Sequence, residues 1–170
     1  IIGFGRIGRS LAAYALGCGM KVVANDIYAT DGNVDLEIGD ISFSIECPLV
    51  SMDEILRSSD VVSLHIPAQP DGSAVIGKEQ LDQMKPGALL INAARGGVLD
   101  EDALVAALNS GHLGGAALDV FVGEPSPRAD VLSHPGLSLT PHTGAATGEA
   151  QDRIGLELAS QIAELEKTRA

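Results

Sequence analysis

The sequence predicts a single α/β domain built on a doubly wound parallel sheet of about seven strands. Short runs of Val, Ile, Leu and Ala alternate with helical patterns along most of the chain, and 20 of the 170 residues are Gly. Continuously apolar short runs are typical of strands that are covered on both faces, as parallel strands are. Strand–helix alternation of this kind favours parallel strands joined by right-handed crossovers.

Seven apolar runs are the predicted strands. They are Ile1-Ile2, 21–26, a run within 28–50, 61–65, 88–92, 114–120 and 137–142. The segment 28–50 is acidic and looks long for a connection. We expect it to hold the third strand and otherwise to form a solvated surface loop.

Capping residues and chain breakers mark the helices between these strands. Ser51 and Glu54 form a capping box, and Asp100 caps a helix whose first turn is acidic. A helix around Leu81 ends at Pro86-Gly87, and the first helix has an apolar face with spacings of four, four and three residues. That face consists of Ile7, Leu11, Ala15 and Cys18.

The last predicted helix opens at Thr147 and carries an apolar stripe along one face. The stripe consists of Ile154, Leu158, Ile162 and Leu165. Such a stripe usually covers the sheet of its own domain, and packing against a second domain is the alternative.

Charge and cysteine content exclude several classes of protein. The net charge of −12 argues against a nucleic-acid or anionic-membrane partner, because both favour Lys and Arg. The apolar runs are far shorter than the ~20 residues of a membrane-spanning helix. Cys18 and Cys47 form neither a metal-binding spacing nor a disulfide framework, which favours a reducing, cytoplasmic compartment and no metal site.

Gly3, Gly5 and Gly8 form the pattern G-x-G-x-x-G in "GFGRIG", between a predicted strand and a predicted helix. In a nucleotide-binding turn the first Gly permits the tight turn, and the second lets the backbone approach a pyrophosphate. The third lets the helix pack on the strand. The N–H groups of Arg6 and Ile7 would then point at the anion, aided by the helix dipole.

Asp26 ends the second predicted strand, 18 positions after Gly8. In a Rossmann-type dinucleotide domain an acidic side chain at this position binds the ribose hydroxyls. It would repel the 2′-phosphate of NADP, and no Arg or Lys follows in "DIYATD". The sequence therefore favours NAD(H) as the cofactor, with a strand-end turn residue as the structural alternative for Asp26.

Three polar residues follow predicted strands: Arg95 after "ALLIN", Glu124 after "GGAALDVF" and His142 after "LSLT". Asp119, within "ALDV", also lies near a strand end. In an open parallel sheet, ligands bind beyond the carboxyl ends of the strands. We therefore expect these side chains to converge on the nicotinamide ring, although isolated loop residues of these types are more often surface residues.

Three longer stretches resemble the D-isomer-specific 2-hydroxyacid dehydrogenases. They are "MKPGALLINAARGGVLDEDAL" (84–104), "GGAALDVFVGEP" (114–125) and "TPHTGAATGEA" (140–150). With the glycine turn they span nearly the whole chain in the family's order. The phosphoglycerate dehydrogenase and hydroxypyruvate/glyoxylate reductase branches are most similar, and a glutamate at Glu124 speaks against the formate dehydrogenase branch.

The resemblance implies a catalytic role for each of the three polar residues. Arg95 would bind the 2-oxo acid, since a guanidinium fork suits a carboxylate and can polarise the neighbouring carbonyl. His142 would be the acid/base, giving a proton to the carbonyl oxygen as NADH gives a hydride to carbon. Glu124 would orient the imidazole and favour its charged form.

The resemblance also implies contacts with the cofactor. Asp119 would hold the nicotinamide carboxamide, and the backbone around Ile66 would approach the adenosine side, with the His65 side chain structural. The residues that would line the nicotinamide end are Ala93, Ala94, His142, Gly144 and Ala145. After "HIP" the sequence reads "AQPDG", without the Thr-bearing stretch that is common in the family, which removes support for contacts in that loop.

In this family the dinucleotide domain is inserted within the substrate domain. The resemblance therefore implies that residues 1–170 are an NAD-binding domain cropped from a two-domain protein, without its flanking substrate domain. The implied activity is hydride transfer between NAD(H) and a small D-2-hydroxy or 2-oxo acid, and the fragment alone would turn over poorly because domain closure excludes water. D-3-phosphoglycerate is the first substrate candidate, hydroxypyruvate and glyoxylate are the alternatives, and the full-length protein is expected to be a homodimer or larger.

Two non-enzymatic alternatives stay open. The family includes the C-terminal binding protein corepressors, which couple NAD(H) binding to assembly with peptide partners. No stretch resembles a peptide-docking motif, and the presence of Arg95, Glu124 and His142 favours an enzyme over a sensor. A non-catalytic remnant is the third possibility.

Overall fold

The computed structural model describes residues 1–167, in which helices and strands alternate. The helices are α1 (Arg6–Gly17), α2 (Met52–Ser58), α3 (Lys78–Gln83), α4 (Glu101–Asn109), α5 (Ala129–Leu132) and α6 (Gly148–Lys167). The strands are β1 (Asn33–Ile38), β2 (Ile41–Glu46), β3 (Val61–Leu64), β4 (Leu89–Asn92), β5 (Gly115–Leu118) and β6 (Leu137–Leu139). A short 3₁₀ turn covers Gly96–Val98.

The central sheet is parallel, with its regular strands in the order β3-β4-β5-β6. Isolated parallel bridges extend the sheet beyond β3. Ile2 pairs with Leu64 of β3 and with Asn25, and Ala24 in turn pairs with Leu49. The predicted α/β fold with a parallel sheet is therefore confirmed, as four regular strands and three bridged segments. Ile2 lies between β3 and the segment that follows α1, so the winding direction reverses beside the turn after Ile2. Such switch points are where ligands bind in this architecture.

Three of the seven predicted strands are thus reduced to isolated bridges, and the local backbone explains two of them. Ile1-Ile2 is followed by Gly3, whose φ of 94° turns the chain out of the sheet. Pro48, before Leu49, has no N–H to donate to a ladder. The apolar runs correctly predict which segments join the sheet, but they overestimate how many residues of each segment pair as a strand.

The segment 28–50 contains the antiparallel hairpin β1-β2, so the expectation of a solvated loop around the third strand is wrong for residues 33–46. Cross-strand partners are apolar on one face of the hairpin, which pairs Val34 with Ile45 and Leu36 with Phe43. Val34 is buried beside α1. The predicted third strand is present only as the bridge at Leu49.

The predicted helix starts at Ser51 and Asp100 are confirmed. The Ser51 hydroxyl accepts a hydrogen bond from the Glu54 N–H at 3.2 Å. Asp100 Oδ1 accepts hydrogen bonds from the N–H groups of Asp102 and Ala103 at 3.0 and 3.1 Å. Each cap satisfies donors that have no partner inside the helix, and fixes where α2 and α4 begin.

Two apolar clusters form the core. The larger joins buried Leu64, Leu90 and Leu118 of neighbouring strands to Ile55 of α2 and Leu104 of α4. The smaller lies around α1 and consists of Phe4, Ala12, Ala24, Val34 and Cys47. Aliphatic side chains dominate both clusters, as expected of a chain in which 3% of the residues are aromatic.

The apolar stripe of α6 does not cover the sheet. The expectation that it packs on the sheet of its own domain is therefore wrong. The four predicted members of the stripe are between 51% and 65% exposed. Glu157 of α6 is joined to the rest of the domain by an ion pair with Arg6, whose guanidinium donates to both carboxylate oxygens at 2.6 and 2.8 Å. Within residues 1–167 no helix has the length and apolarity needed to cross a bilayer.

Candidate active site

Two close backbone approaches shape the glycine turn between Ile2 and α1. A Cβ on Gly3 would lie 2.4 Å from the carbonyl oxygen of His65, and φ at Gly3 is 94°. A Cβ on Gly8 would lie 2.1 Å from the carbonyl oxygen of Gly3. Neither position has room for a side chain, as expected of the first and third glycines of a dinucleotide turn.

Gly5, the N-cap of α1, faces open space instead. No heavy atom lies within 4 Å of the position that its Cβ would take. The first N–H groups of α1, including those of Arg6 and Ile7, have no partner inside the helix, and the helix dipole makes this end positive. N–H donors beside this open space fit the pyrophosphate of a dinucleotide.

Asp26 binds this turn with one carboxylate oxygen and its own loop with the other. Oδ2 accepts from the Phe4 N–H at 2.7 Å, and Oδ1 accepts from the N–H groups of Tyr28 and Ala29 at 2.7 and 3.1 Å. Partial burial opposes ionisation of Asp26, but the three backbone donors outweigh it and hold the pKa below its usual value. Carboxylate oxygens accept several hydrogen bonds, so Asp26 keeps capacity for a ribose hydroxyl.

Glu124 and His142 are in direct contact. His142 Nδ1 donates to Glu124 Oε2 at 2.6 Å, and the Phe121 N–H donates to Glu124 Oε1 at 2.7 Å. The hydrogen bond from His142 and that from the Phe121 backbone hold the pKa of Glu124 below its usual value. Glu124 is therefore a carboxylate at neutral pH.

The contact with Glu124 determines which ring nitrogen of His142 is free. A carboxylate can only accept, so Nδ1 carries the shared proton and Nε2 can exchange a proton with a ligand. His142 has a φ of 54°, the left-handed region, which residues with a Cβ seldom adopt. Its N–H donates to the Thr140 carbonyl at 3.0 Å. The imidazole thus sits on a constrained turn at the end of β6.

Arg95 belongs to a segment that packs against the turn bearing Glu124. Buried Asn92 donates through Nδ2 to the Arg95 carbonyl at 3.0 Å and accepts through Oδ1 from the Ala94 N–H at 3.1 Å. A Cβ on Gly96 would lie 2.1 Å from the Phe121 carbonyl oxygen, so the two backbones touch. The exposed Arg95 guanidinium donates to the Ala94 carbonyl at 2.6 Å. The structure brings the Arg95 backbone to the turn before Glu124, with its guanidinium bonded to its own segment.

Asp119 holds the loop that carries His142. Its Oδ1 accepts from the Thr140 hydroxyl at 2.5 Å and the Thr143 N–H at 2.8 Å, and its Oδ2 accepts from the Gly144 N–H at 2.9 Å. Burial opposes ionisation, but these hydrogen bonds keep the pKa of Asp119 below its usual value. The family resemblance implies a carboxamide contact for Asp119, whereas its contacts here are with residues 140–144.

Replacing Asp119 with Asn should destabilise the domain by about 1–3 kcal/mol near neutral pH, because an amide NH2 would face a backbone donor. The pKa of Asp119 is lower in the folded state, so its stabilising contribution is present above the unfolded pKa and lost as the pH falls through the folded pKa. Urea unfolding at neutral and acidic pH should therefore show the stability difference shrinking in acid. Asp35→Asn, on the exposed face of β1, is the control, and a difference that is constant with pH would contradict this role.

The other residues expected to contact NAD lie after strands of the same sheet. Ala93 directly follows β4 and Ala145 lies in the turn before α6, and both are exposed. Ile66 follows β3 and lies against Gly3 of the glycine turn. The His65 side chain bonds to the Ser63 hydroxyl at 2.9 Å, in line with a structural role.

A cavity of about 590 Å³ adjoins the Glu124–His142 pair. Its other walls are mostly apolar and include Phe121, Leu139 and Pro141. An apolar surrounding strengthens electrostatic interactions of the pair with any ligand that displaces water from the cavity.

A family model described as "D-isomer specific 2-hydroxyacid dehydrogenase, NAD binding domain" matches residues 1–144. The match includes the glycine turn, Asp26, Arg95, Glu124 and His142. The chain belongs to this dehydrogenase family. Its matched part is the NAD-binding domain, so NAD is the cofactor that the glycine turn and Asp26 fit.

Relatives and solved structures of the family are similar over most of the chain. D-3-phosphoglycerate dehydrogenase 2, chloroplastic, of Arabidopsis thaliana is 42% identical over 96% of the chain and 25% of its own length. Glycerate dehydrogenase of Methylorubrum extorquens is 42% identical over 95% of the chain and 48% of its own length. The NAD-complexed D-isomer specific 2-hydroxyacid dehydrogenase of Lactobacillus delbrueckii ssp. bulgaricus superposes with a TM-score of 0.75 at 30% identity, over 97% of the chain and 52% of that structure. The chain thus spans about a quarter to a half of these proteins.

Sequence patterns do not single out two buried polar residues of this dehydrogenase domain. Asn92 is 1% exposed and braces the Arg95 segment, and Glu101 is 5% exposed and accepts a hydrogen bond from the Val122 N–H at 2.7 Å. Asn92 could have been identified from the sequence, because it is a polar residue at the end of an apolar strand. Glu101 lies in the first turn of α4, where the helix dipole alone explains an acidic residue.

Proposed function

We propose that the full-length protein containing this domain is an NAD-dependent enzyme that interconverts a D-2-hydroxy acid and its 2-oxo acid. The observation that carries this proposal is the 2.6 Å contact between Glu124 and His142, at the end of a sheet whose switch point carries the glycine turn. An imidazole held by a carboxylate with Nε2 free is a group for proton transfer. A domain that only binds NAD has no need of it.

The chain's own residues account for substrate binding and for the movement of a proton. In reduction, the Arg95 guanidinium would bind the carboxylate of the 2-oxo acid. The protonated Nε2 of His142 would give its proton to the carbonyl oxygen, while Glu124 stabilises the imidazolium and holds its orientation. NADH, when bound, supplies the hydride to the carbonyl carbon. In oxidation, Nε2 would take the hydroxyl proton while the hydride passes from the same carbon to NAD⁺.

For the substrate we propose D-3-phosphoglycerate, supported by the likeness to the Arabidopsis thaliana dehydrogenase of that name. Glycerate, hydroxypyruvate and glyoxylate form the second candidate class. The observation in its favour is the glycerate dehydrogenase of Methylorubrum extorquens, which has the same 42% identity to the chain.

We also propose that residues outside this chain form a substrate domain that closes over the site, in a homodimeric or larger cytoplasmic enzyme. The exposed stripe of α6 supports a covering partner domain. The net charge of −12 supports the absence of nucleic-acid and anionic-membrane partners. Free Cys18 and Cys47 suit a reducing compartment.

A panel of 2-oxo acids assayed on the full-length protein with NADH and with NADPH tests the proposed function. We expect NADH-dependent reduction to be fastest with phosphohydroxypyruvate, and the reverse reaction to accept D- but not L-2-hydroxy acids. Faster reduction of hydroxypyruvate or glyoxylate would favour the second candidate class, and a preference for NADPH would contradict the role of Asp26. Binding of NADH without reduction of any 2-oxo acid, pyruvate included, would overturn the enzymatic proposal.

A further inference from the structure

The turn that presents Glu124 to His142 is held by two carboxylates. The Phe121 N–H donates to Glu124 Oε1 at 2.7 Å. The next N–H along the chain, that of Val122, donates to Glu101 Oε1 at 2.7 Å. Glu101 comes from the first turn of α4, so this second hydrogen bond ties the turn to a different element.

Glu101 lies on the segment that also carries Arg95. Five residues separate Arg95 from Glu101, and they include the 3₁₀ turn Gly96–Val98 and the α4 cap Asp100. Gly96 of this segment has no room for a Cβ because its backbone touches the Phe121 carbonyl. The Glu101 hydrogen bond and the Gly96 contact therefore fix the same segment to the same turn at two points.

Burial of Glu101 is costly if stability is its only purpose. Glu101 is 5% exposed, and within the described residues its Oε2 has no hydrogen-bond partner. A buried carboxylate with an unpaired oxygen is less favourable than an apolar side chain of similar size. What the carboxylate adds is a strong acceptor for one particular backbone N–H.

We propose that Glu101 is a positioning residue, which sets the place of Glu124, and through it of His142, relative to Arg95. The proposal rests on the proposed function, because its kinetic consequence requires that Glu124, His142 and Arg95 act together. Its structural consequence, the alignment of Glu124 with His142, can be measured without catalysis.

The test compares Glu101→Met and Glu101→Gln in the full-length protein, with Glu79→Met as the control. Met matches the length of Glu and suits a buried site but cannot accept from the Val122 N–H, whereas Gln retains an acceptor oxygen. Glu79 occupies the exposed first turn of α3. The titration of Glu124, followed by NMR of ¹³C-carboxyl-labelled glutamate, reports on the pair, and kcat/KM is measured in parallel.

We expect Glu101→Met to raise the pKa of Glu124 toward its usual value, because a loosened turn weakens the hydrogen bonds from Phe121 and His142. The sign is informative, because removal of a negative charge cannot raise the pKa of a carboxyl group. Asp119, whose negative charge opposes ionisation of Glu124, is unchanged in every variant. We expect kcat/KM to fall about tenfold to a hundredfold, as for a small misplacement of reacting groups, and the control to leave both readouts unchanged.

Glu101→Gln should retain kcat/KM within a few-fold and should not raise the pKa of Glu124. A folded Glu101→Met protein with an unshifted Glu124 titration would overturn the positioning role, whatever its activity. If Glu101→Met does not fold, a loss of kcat/KM by more than tenfold in Glu101→Gln would overturn it, because the acceptor is then still present. A shifted Glu124 titration in a protein that reduces no 2-oxo acid would support the positioning role and refute the proposed enzyme.

Discussion

Replacing His142 with Asn in the full-length protein should lower kcat by about 10²–10⁴-fold while leaving NADH affinity largely intact. The reason is that Nε2 of His142 is the free proton-transfer atom of a ring whose Nδ1 is bonded to Glu124 at 2.6 Å. Asn tolerates the left-handed backbone conformation that His142 adopts, with φ of 54°, so the loop should keep its shape. Steady-state kinetics and NADH fluorescence titration measure the two effects separately.

His134→Asn is the matched control for this experiment. His134 is also bonded through its side chain, to Asn109 at 3.2 Å and to the Gly136 N–H at 3.0 Å, but it precedes β6, whereas His142 follows that strand. His134→Asn should change neither kcat nor NADH affinity beyond a few-fold. Equal losses of turnover and NADH affinity in His142→Asn would contradict an acid/base role and indicate a cofactor contact instead.

Alanine at Gly8 should cost much more stability than alanine at Gly5, although both should weaken NADH binding. At Gly8 the new Cβ would lie 2.1 Å from the Gly3 carbonyl oxygen, so helix and turn must move apart. We expect a loss of about 1–3 kcal/mol in unfolding free energy, as for other overpacked sites, and loss of NADH binding with it.

Gly5→Ala is the matched partner, because nothing lies within 4 Å of the added methyl. Its stability should change by less than about 1 kcal/mol, the difference between Gly and Ala at an N-cap. NADH affinity should still fall, since the methyl occupies the space through which the pyrophosphate approaches the backbone. Undiminished NADH affinity in Gly5→Ala would show that the phosphates lie elsewhere.

Much of the architecture could be predicted because local chemistry and global fold agree. The caps at Ser51 and Asp100 and the glycine turn each have a short-range physical cause that is visible in the sequence. The parallel sheet follows from runs such as 61–65 and 88–92, which are mostly apolar and lack the regular alternation with polar residues that a half-exposed strand shows.

The hairpin at 33–46 has a residue alternation that predicts strands and an acidic composition that predicts a loop. Residues 34–38 and 41–45 alternate apolar and polar side chains around Gly39-Asp40, a pattern typical of a two-stranded ribbon. The acidic composition of the segment pointed to a solvated loop instead. The alternation is the better guide, since Val34 and Leu36 pack into the cluster around α1 while Asp35 and Glu37 are exposed.

Side-chain contacts at the site could be predicted only in part. Residue type and order indicated that Glu124 and His142 meet, because parallel strands end at one edge of a sheet. The Val122 N–H donates to Glu101, 21 positions away in the sequence. Every residue except Pro has such a backbone donor, so the residue types do not predict this hydrogen bond. The same holds for the loop contacts of Asp119, which depend on the exact course of residues 140–144.

The anchoring of the glycine turn by Asp26 limits how the nucleotide preference of this domain can be redesigned. Exchange of Asp26 for a small or basic residue, the obvious way to admit a 2′-phosphate, would also strip the Phe4, Tyr28 and Ala29 amides of their acceptor. An engineered variant that uses NADP therefore needs a second substitution, which supplies a new hydrogen-bond acceptor for those N–H groups. Without that second substitution, the glycine turn would lose the contact that fixes its conformation, and binding of either nucleotide would weaken.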